Sequence, residues 1–314
     1  MSAHCGQSRE GKGINMQKIL ITGGSVFVSK FAAEWFAARD YEVYVLNRGR
    51  HEQPAGAKVI CADRHALGNC LKEYSFDAIL DITAYDEEDI RDLLAGAGEI
   101  GDYIFISSSA VYPETFPQPF CEEEPVGENA VWGEYGQNKI KAEQFLLHNR
   151  PDAYILRPPY LYGPMQNLYR EPFVFDCAMQ GRAFYIPGDG KMPLQFFHVE
   201  DLCKVMEQIL LTHPKEHIIN VGNSEIVDIN RFVQICYDIV GQSLNTVHVK
   251  DHENWRDFFC FYNYGYVLNV EKQNRILPVQ KDLRQGLMES FVWYKEHQEN
   301  VAKKEYIKFI DEHF

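Results

Sequence analysis

Short apolar runs punctuate the first half of the chain: residues 18–22 (KILIT), 42–46 (EVYVL), 57–61 (AKVIC), 77–82 (DAILDI), 103–108 (YIFISS) and 153–158 (AYILRP). Their length and their polar borders predict buried strands. Residues 30–39 (KFAAEWFAAR) and 87–96 (EEDIRDLLAG) lie between them and carry apolar positions at helical spacing. Strands and helices alternating in this way predict βαβ units, which build a parallel sheet with helices on both faces, a doubly wound α/β fold. After residue 164 the alternation gives way to mixed segments rich in aromatics, Gly and Pro, such as IPGDGKMP at 186–193. Residues 16–164 are therefore expected to form a Rossmann-type sheet domain, with returns near 194–222, and residues 165–314 mainly a smaller C-terminal substrate lobe. Such a lobe would close a cleft over the carboxyl ends of the strands, where open α/β sheets bind ligands.

The first strand runs into a turn, TGGSVFVSK at 22–30. A dinucleotide fingerprint uses one glycine for the turn, a second for the approach of a pyrophosphate and a third for packing helix on strand. Gly23 fills the first place, but Val26 and Ser29 stand at the second and third. A β-branched residue resists unusual backbone angles, so Val26 is expected to weaken or shift binding. The free N–H groups opening the next helix still favour an anion. The second strand ends LNRGR, with Asn47 where NAD-selective sites place a carboxylate and Arg48 beside it, which favours NADP over NAD.

Composition narrows the function classes. With 31 basic against 45 acidic residues the net charge is −14, which repels polyanions and argues against nucleic acid as a partner. Eight scattered cysteines without a C-x-x-C pair fit reduced thiols better than a zinc site or a disulfide framework. No apolar run reaches the length of a membrane span, and residues 1–15 are polar, without the apolar core of a signal peptide. A disordered extension followed by a cytoplasmic enzyme is the expectation. His248 and His252 are read as a surface loop, not as metal ligands, and no metal site is expected. His198 is assigned to packing or hydrogen bonding. DEEDIRD (86–92) is read as a helix start, CEEEP (121–125) as a solvated loop, and WRDFFCFYNYGY (255–266) as a cover or pocket lining for the second lobe.

Tyr135 and Lys139 in EYGQNKIKAE have Y-x-x-x-K spacing, which on a helix puts both on one face. The spacing alone is weak, but the pair follows a strand with Ser108 at its carboxyl end and precedes AYILRPPYLYGP. These pieces in this order resemble the extended short-chain dehydrogenase/reductase superfamily of the NAD-dependent epimerase/dehydratase type. CADR (61–64), FFHVEDL (196–202), INVGNSE (219–225) and QGLMESFVWY (285–294) extend the resemblance over nearly the whole chain from Met16. The resemblance implies Tyr135 as general acid/base, Lys139 as the cation lowering its pKa, and Ser108 as hydrogen-bond partner of the reacting oxygen. It implies NAD or NADP as cofactor, held by Thr22, Gly23, Gly24, Ser25, Val26 and Phe27 at the turn and by Asn47, Arg48, Asp63 and Arg64 at the adenosine end. Thr83, Ala84, Tyr135, Lys139 and Pro158 would hold the other end. Ser109, Tyr160 and Gln195 would meet a substrate of small-molecule, possibly nucleotide-sugar, type, and a homodimer through a pair of helices is implied as well.

Two departures refine this. Classical 4,6-dehydratases of the family carry Asp-Glu directly after the Ser/Thr, whereas Ser109 and Ala110 stand here and neither can serve as the acid or base, leaving epimerase or reductase chemistry. Many nucleotide-sugar members have an arginine where this chain has Gln195, and an amide lacks the guanidinium's charge and fork, so Arg170 or Arg182 would have to replace it. The altered glycine turn, LNRG and Gln195 together resemble an atypical branch that includes the chloroplast stem-loop RNA-binding proteins. That makes a catalytically inactive regulatory or RNA-binding protein the alternative to an enzyme.

Overall fold

A computed structural model describes residues 16–314, so the extension expected at residues 1–15, with Cys5, lies outside the described residues. The first half builds β1 (Gln17–Thr22), α1 (Phe27–Ala37), β2 (Tyr41–Asn47), β3 (Lys58–Cys61), β4 (Leu71–Asp81), α2 (Glu87–Gly96), β5 (Ala97–Ile106), α3 (Glu134–Asn149) and β6 (Tyr154–Arg157). There follow β7 (Tyr160–Tyr162), α4 (Glu171–Met179), β8 (Phe184–Pro187), β9 (Pro193–Leu194), β10 (Phe196–His198), α5 (Val199–Thr212) and β11 (Ile218–Asn220). The chain ends with β12 (Val227–Asp228), α6 (Ile229–Val240), β13 (Thr246–Val249), α7 (Glu271–Ile276), α8 (Leu283–Glu296) and α9 (Tyr306–His313).

Seven of the strands form one parallel sheet in the order β11-β6-β5-β4-β1-β2-β3, the Rossmann-like doubly wound fold. The chain moves outward from β1 to β3 and then returns to β4 on the other side of β1. This reversal opens a crevice at the carboxyl ends of β1 and β4, the place where such sheets take ligands.

Alternation along the strands feeds two cores. Ile19, Ile21 and Val45 pack under α1 and α5 with Phe36, Met206 and Ile209, while Leu20, Ile79 and Phe105 pack under α2 and α3 with Ile90, Leu93 and Leu146. A third apolar cluster, including Phe173, Phe184, Phe232, Tyr237 and Phe291, holds the C-terminal elements together. Helix α1 has no side-chain cap at its N-terminus, so burial of Ala32, Ala33 and Phe36 has to stabilise it. Helix α2 is capped instead: the Asp86 carboxylate accepts from Asp89 N at 3.1 Å, and Glu87, Glu88 and Asp89 face the positive end of the helix dipole.

Several expectations are corrected. The helix expected at 30–39 runs from Phe27 to Ala37. The strands expected at 77–82 and 103–108 begin earlier, at Leu71 and Ala97, because their amino halves pair with each other from Leu71 opposite Ala97. CEEEP is not wholly solvated: Glu122 is buried, and its Oε1 accepts from Asn220 N at 2.9 Å. His248 lies on β13 rather than in a loop, and its Nδ1 is 2.9 Å from Gly188 O. Seven cysteines are unpaired among the described residues, and no helix there is long and apolar enough to cross a membrane.

Candidate active site

The glycine turn lies at the reversal point of the sheet. Gly23 and Gly24 have φ of +88° and +84°, and a Cβ on them would come within 2.6 Å of Thr83 Cγ2 and 2.5 Å of Val45 Cγ1, so both positions require glycine. Val26 is extended at φ −139°, ψ 137°, a conformation that suits a β-branched residue. The expected backbone conflict at Val26 is therefore absent, and the positive φ falls on Phe27, at +34°. Ser29 takes the third glycine's place by donating to Val26 O at 3.0 Å.

Beside the turn is a cavity of about 460 Å³ that reaches Arg48, Arg50, Asp63, Arg64, Thr83 and Tyr85, with the half-exposed Val26 at its wall. Asn47 borders it but is already engaged. Its Nδ2 donates to Gly23 O at 2.7 Å and Gln53 Oε1 at 2.8 Å, and its Oδ1 accepts from Gly49 N at 2.8 Å. It ties the end of β2 to the glycine turn and has no N–H left for a ribose. Arg48 and Arg50 have no carboxylate within 4.0 Å among the described residues. Of the other residues expected to touch a cofactor, Thr22 and Gly24 are packed behind the turn, Phe27 faces a neighbouring cavity, and Ala84 and Pro158 contribute carbonyls to the protein itself.

A buried cluster supports the cavity floor. Asp81, fully buried at the end of β4, accepts from Thr22 Oγ1 at 2.7 Å, Arg64 Nη2 at 2.8 Å and Tyr103 OH at 2.6 Å. Burial pushes its carboxyl up, but the Arg64 charge and these hydrogen bonds hold it below the usual carboxylate range. Thr22 Oγ1 in turn accepts from Ile82 N and Thr83 N, at 3.0 and 3.1 Å, which fixes the loop leading to Tyr85.

Tyr135 and Lys139 sit one turn apart on α3. The helix approaches the loop after β5 closely at Gly136, where a Cβ would be 2.4 Å from Ala110 O. Lys139 is buried, and its Nζ donates to Ala84 O at 2.7 Å and Ile106 O at 2.9 Å. Burial lowers its pKa to about 8, against the opposing charges of Asp81 and Glu143. Its ammonium lies 5.5 Å from the Tyr85 ring centre and 6.0 Å from that of Tyr135, and the two rings meet edge-on at 5.9 Å. Burial raises the Tyr135 phenol, and the Ser108 hydroxyl beside it opposes the rise.

A second network that sequence reasoning missed locks α3 to the sheet. Arg157 grips Glu143 with two bonds, Nε to Oε1 at 3.0 Å and Nη2 to Oε2 at 2.5 Å, and its Nη1 donates to Tyr112 OH at 2.9 Å. Ser107 Oγ donates to Glu143 Oε1, and Tyr112 OH donates to Asn220 Oδ1 at 2.7 Å. A bidentate guanidinium–carboxylate contact sets angle as well as distance, so it orients the helix that carries Tyr135 and Lys139. Only the fold brings these residues together, since they come from the segment after β5, from α3, β6 and β11.

Ser108, Ser109, Tyr135 and Tyr160 line a second cavity of about 460 Å³ together with Arg170 and Arg256. Gln195 does not line it. That side chain is buried, donates to Asn223 O and Leu268 O and accepts from Leu268 N, so its role is structural. Arg182 also fails as the substitute cation, because it pairs with Asp311 on the surface away from the cavity. Arg170 does reach it. The 255–266 stretch, read from sequence as cover or as pocket lining, lines this cavity with Cys260, Phe261, Tyr262 and Tyr266, and Arg256 is the member that its aromatic composition did not single out.

The chain belongs to the NAD dependent epimerase/dehydratase family, whose family model matches residues 19–222. Among curated proteins it is 25% identical over 300 residues to the chloroplast stem-loop binding protein of 41 kDa b of Arabidopsis thaliana, covering 88% of this chain and 78% of that one. It is also 25% identical to a UDP-N-acetyl-alpha-D-glucosaminuronate decarboxylase of Bacillus cytotoxicus, over 89% of this chain and 98% of that one. Among solved structures, UDP-glucose 4-epimerase of Thermotoga maritima with UDP-glucose shares the fold with a TM-score of 0.76 at 16% identity, covering 90% of this chain and all of that one. The dTDP-glucose 4,6-dehydratase of Bacillus anthracis with NAD does so with a TM-score of 0.72 at 18% identity, over 91% and 98% of the two chains.

Proposed function

We propose that the chain is an NAD(P)-dependent epimerase or reductase acting on a hydroxyl of a sugar-like substrate. The observation that carries this reading is the placement of the Tyr85–Tyr135 edge contact. Tyr85 lines the cavity beside the glycine turn, Tyr135 lines the second cavity with Ser108, and the Lys139 ammonium lies behind both rings. The residues fit a dinucleotide: the cavity beside the Gly23–Gly24 turn is lined by Arg48 and Arg50, which have no carboxylate within 4.0 Å among the described residues and so leave two cationic groups for a phosphate. Gly23, Ser25, Arg48, Asp63 and Arg64 of the cavity wall would hold it, with Arg48 and Arg50 favouring a 2′-phosphate, and Lys139, behind Tyr85 and Tyr135, would add the one N–H not given to Ala84 O and Ile106 O. When bound, a nicotinamide supplies hydride exchange.

The chain's own part is proton handling. Ser108 would hydrogen-bond the substrate oxygen, and Tyr135 would take the hydroxyl proton as that oxygen becomes a carbonyl and return it in the reverse direction. A phenol raised by burial is a poor base, so Lys139 has to stay protonated to favour the phenolate. Ser109 and Ala110 offer neither acid nor base, which points away from elimination of water. Replacement of Tyr135 by Phe tests the assignment: turnover should vanish while dinucleotide affinity stays within about threefold, and undiminished turnover would refute it.

The stem-loop-binding relative motivates a second reading, binding of structured RNA. The net charge of −14 opposes it. Tight, salt-sensitive retention of a stem-loop RNA together with absence of dinucleotide binding would establish that reading instead.

A further inference from the structure

Lys139 lies between the two cavities and lines neither. Its Nζ is surrounded by three rings, with centres at 4.8 Å for Phe105, 5.5 Å for Tyr85 and 6.0 Å for Tyr135. The rings differ in exposure. Phe105 is fully buried, Tyr135 is 37% exposed on the side of the second cavity and Tyr85 is 63% exposed on the side of the first, whereas Lys139 is only 4% exposed. A tyrosine that open buries little apolar surface of its own, yet the backbone beneath it is pinned twice. Tyr85 N donates to Asp89 Oδ2 at 2.6 Å, and the carbonyl of the preceding Ala84 accepts from Lys139 Nζ at 2.7 Å. Ring and ammonium are therefore held in one fixed relation, and the edge contact of Tyr85 with Tyr135 at 5.9 Å joins the two outer rings into a partition.

We infer that Tyr85 is a positioning residue for the proton chemistry: its ring, closed edge-on against Tyr135, keeps the water of the first cavity off the Lys139 ammonium, so that this charge acts on the Tyr135 phenol through protein and not through solvent. The consequence for Tyr135 rests on the reading of that residue as the proton carrier; the shielding itself does not. A charge is felt far more strongly across protein than across water. The charged groups facing Lys139 come from several elements: Asp81 at the end of β4, Asp89 on α2 and Glu143 on α3 favour its protonated form, and Arg64 opposes them. Burial outweighs the three carboxylates and brings the pKa down to about 8. Loss of the Tyr85 ring admits water and reverses that burial, while the lost attraction between ring face and ammonium works the other way and is the smaller effect.

An NMR titration of the full chain with isotope-labelled lysine Cε atoms tests this without cofactor or turnover, the Lys139 signal being assigned by its loss in Lys139→Met. In the native chain that signal should titrate near pH 8 and resist broadening by a soluble paramagnetic agent. Tyr85→Ala should move its midpoint by about one pH unit or more toward the roughly 10.4 of a free lysine and expose it to the agent. Tyr85→Phe should keep both native values, since the shield is the ring and not the hydroxyl. Signals of lysines away from this contact, such as Lys204 on α5, should titrate alike in every chain; if Tyr85→Ala moves all of them, as unfolding does, Tyr85→Ser repeats the test. A Lys139 midpoint and broadening unchanged by loss of the ring, or shifted as far by Tyr85→Phe, would overturn the inference. With a substrate in turnover, the alkaline fall of kcat/KM should move up in Tyr85→Ala and stay in place in Tyr85→Phe. A Lys139 signal that responds to loss of the ring in a chain without turnover would uphold the shield and remove only the enzymatic reading.

Discussion

Asp81 Oδ1 lies 2.8 Å from Arg64 Nη2, and this part-buried pair connects the cavity beside the glycine turn to the charge of Lys139. Asp81 is one of the groups that hold the Lys139 pKa up against burial, and through Thr22 it fixes the loop whose Ala84 carbonyl receives the lysine. One carboxylate thus serves both the cavity floor and the buried Lys139 ammonium.

Removal of that carboxylate should show both effects. Asp81→Asn takes from part-buried Arg64 its nearer carboxylate and leaves it Asp89 at 3.4 Å, and breaking a buried pair costs about 3–5 kcal/mol at most. Chemical denaturation should show a loss of that order, partly recovered in Asp81→Asn/Arg64→Met. A destabilisation below about 1 kcal/mol would contradict the cluster's role.

The pH dependence follows from Lys139. With its pKa lowered to about 8, the ammonium is present at neutral pH and is lost as pH rises through 8. Turnover in the direction that needs phenolate should therefore lose the support of Lys139 above about pH 8. Glu143→Gln removes a charge that holds the pKa up, so the fall should begin at lower pH in that variant. Profiles of kcat/KM that coincide would count against the coupling.

Val26 offers a test of the altered glycine turn. Its extended backbone is compatible with glycine, and an exposed glycine costs roughly 0.5–1 kcal/mol in chain entropy. Val26→Gly should lower the melting temperature slightly and tighten dinucleotide binding, because the side chain at the cavity wall is removed. Unchanged or weaker binding would show that Val26 does not restrict the site.

His198 is buried at the N-terminus of α5, where Nδ1 accepts from Glu200 N at 3.2 Å, as a hydrogen-bonding role for this residue requires. Burial lowers its pKa to about 3, with the charges of Lys281 and Lys204 assisting and Glu200 opposing. The unfolded chain binds this proton near pH 6.5 and the folded one only near 3. The stability is thus complete above about 6.5 and falls by about 1.4 kcal/mol per unit as pH drops toward 3. His198→Asn keeps a capping acceptor and should flatten that slope; an unaltered slope would assign it to other groups.

What could be read from sequence follows the physics of each feature. Helix α2 was legible to the residue because its cap and its apolar spacing are local. The amino halves of β4 and β5 were not, since LKEYSF and AGEIGD carry polar residues and become strands by pairing with each other. At the site, Ser108, Tyr135 and Lys139 lie close together in sequence order and share a helix or strand end. Arg256 and the Glu143–Arg157 and Asp81–Arg64 pairs depend on contacts between distant segments, and no local pattern announces them. Gln195 shows the reverse error: a position chosen by resemblance whose side chain is spent on backbone bonds to Asn223 and Leu268.

The most direct measurement is calorimetric titration of the full chain with NAD, NADH, NADP and NADPH, in parallel with Lys139→Met. The account predicts saturable binding of at least one of the four in the micromolar range, weakened about tenfold or more by Lys139→Met. No binding up to millimolar concentration, or binding indifferent to Lys139, would contradict it.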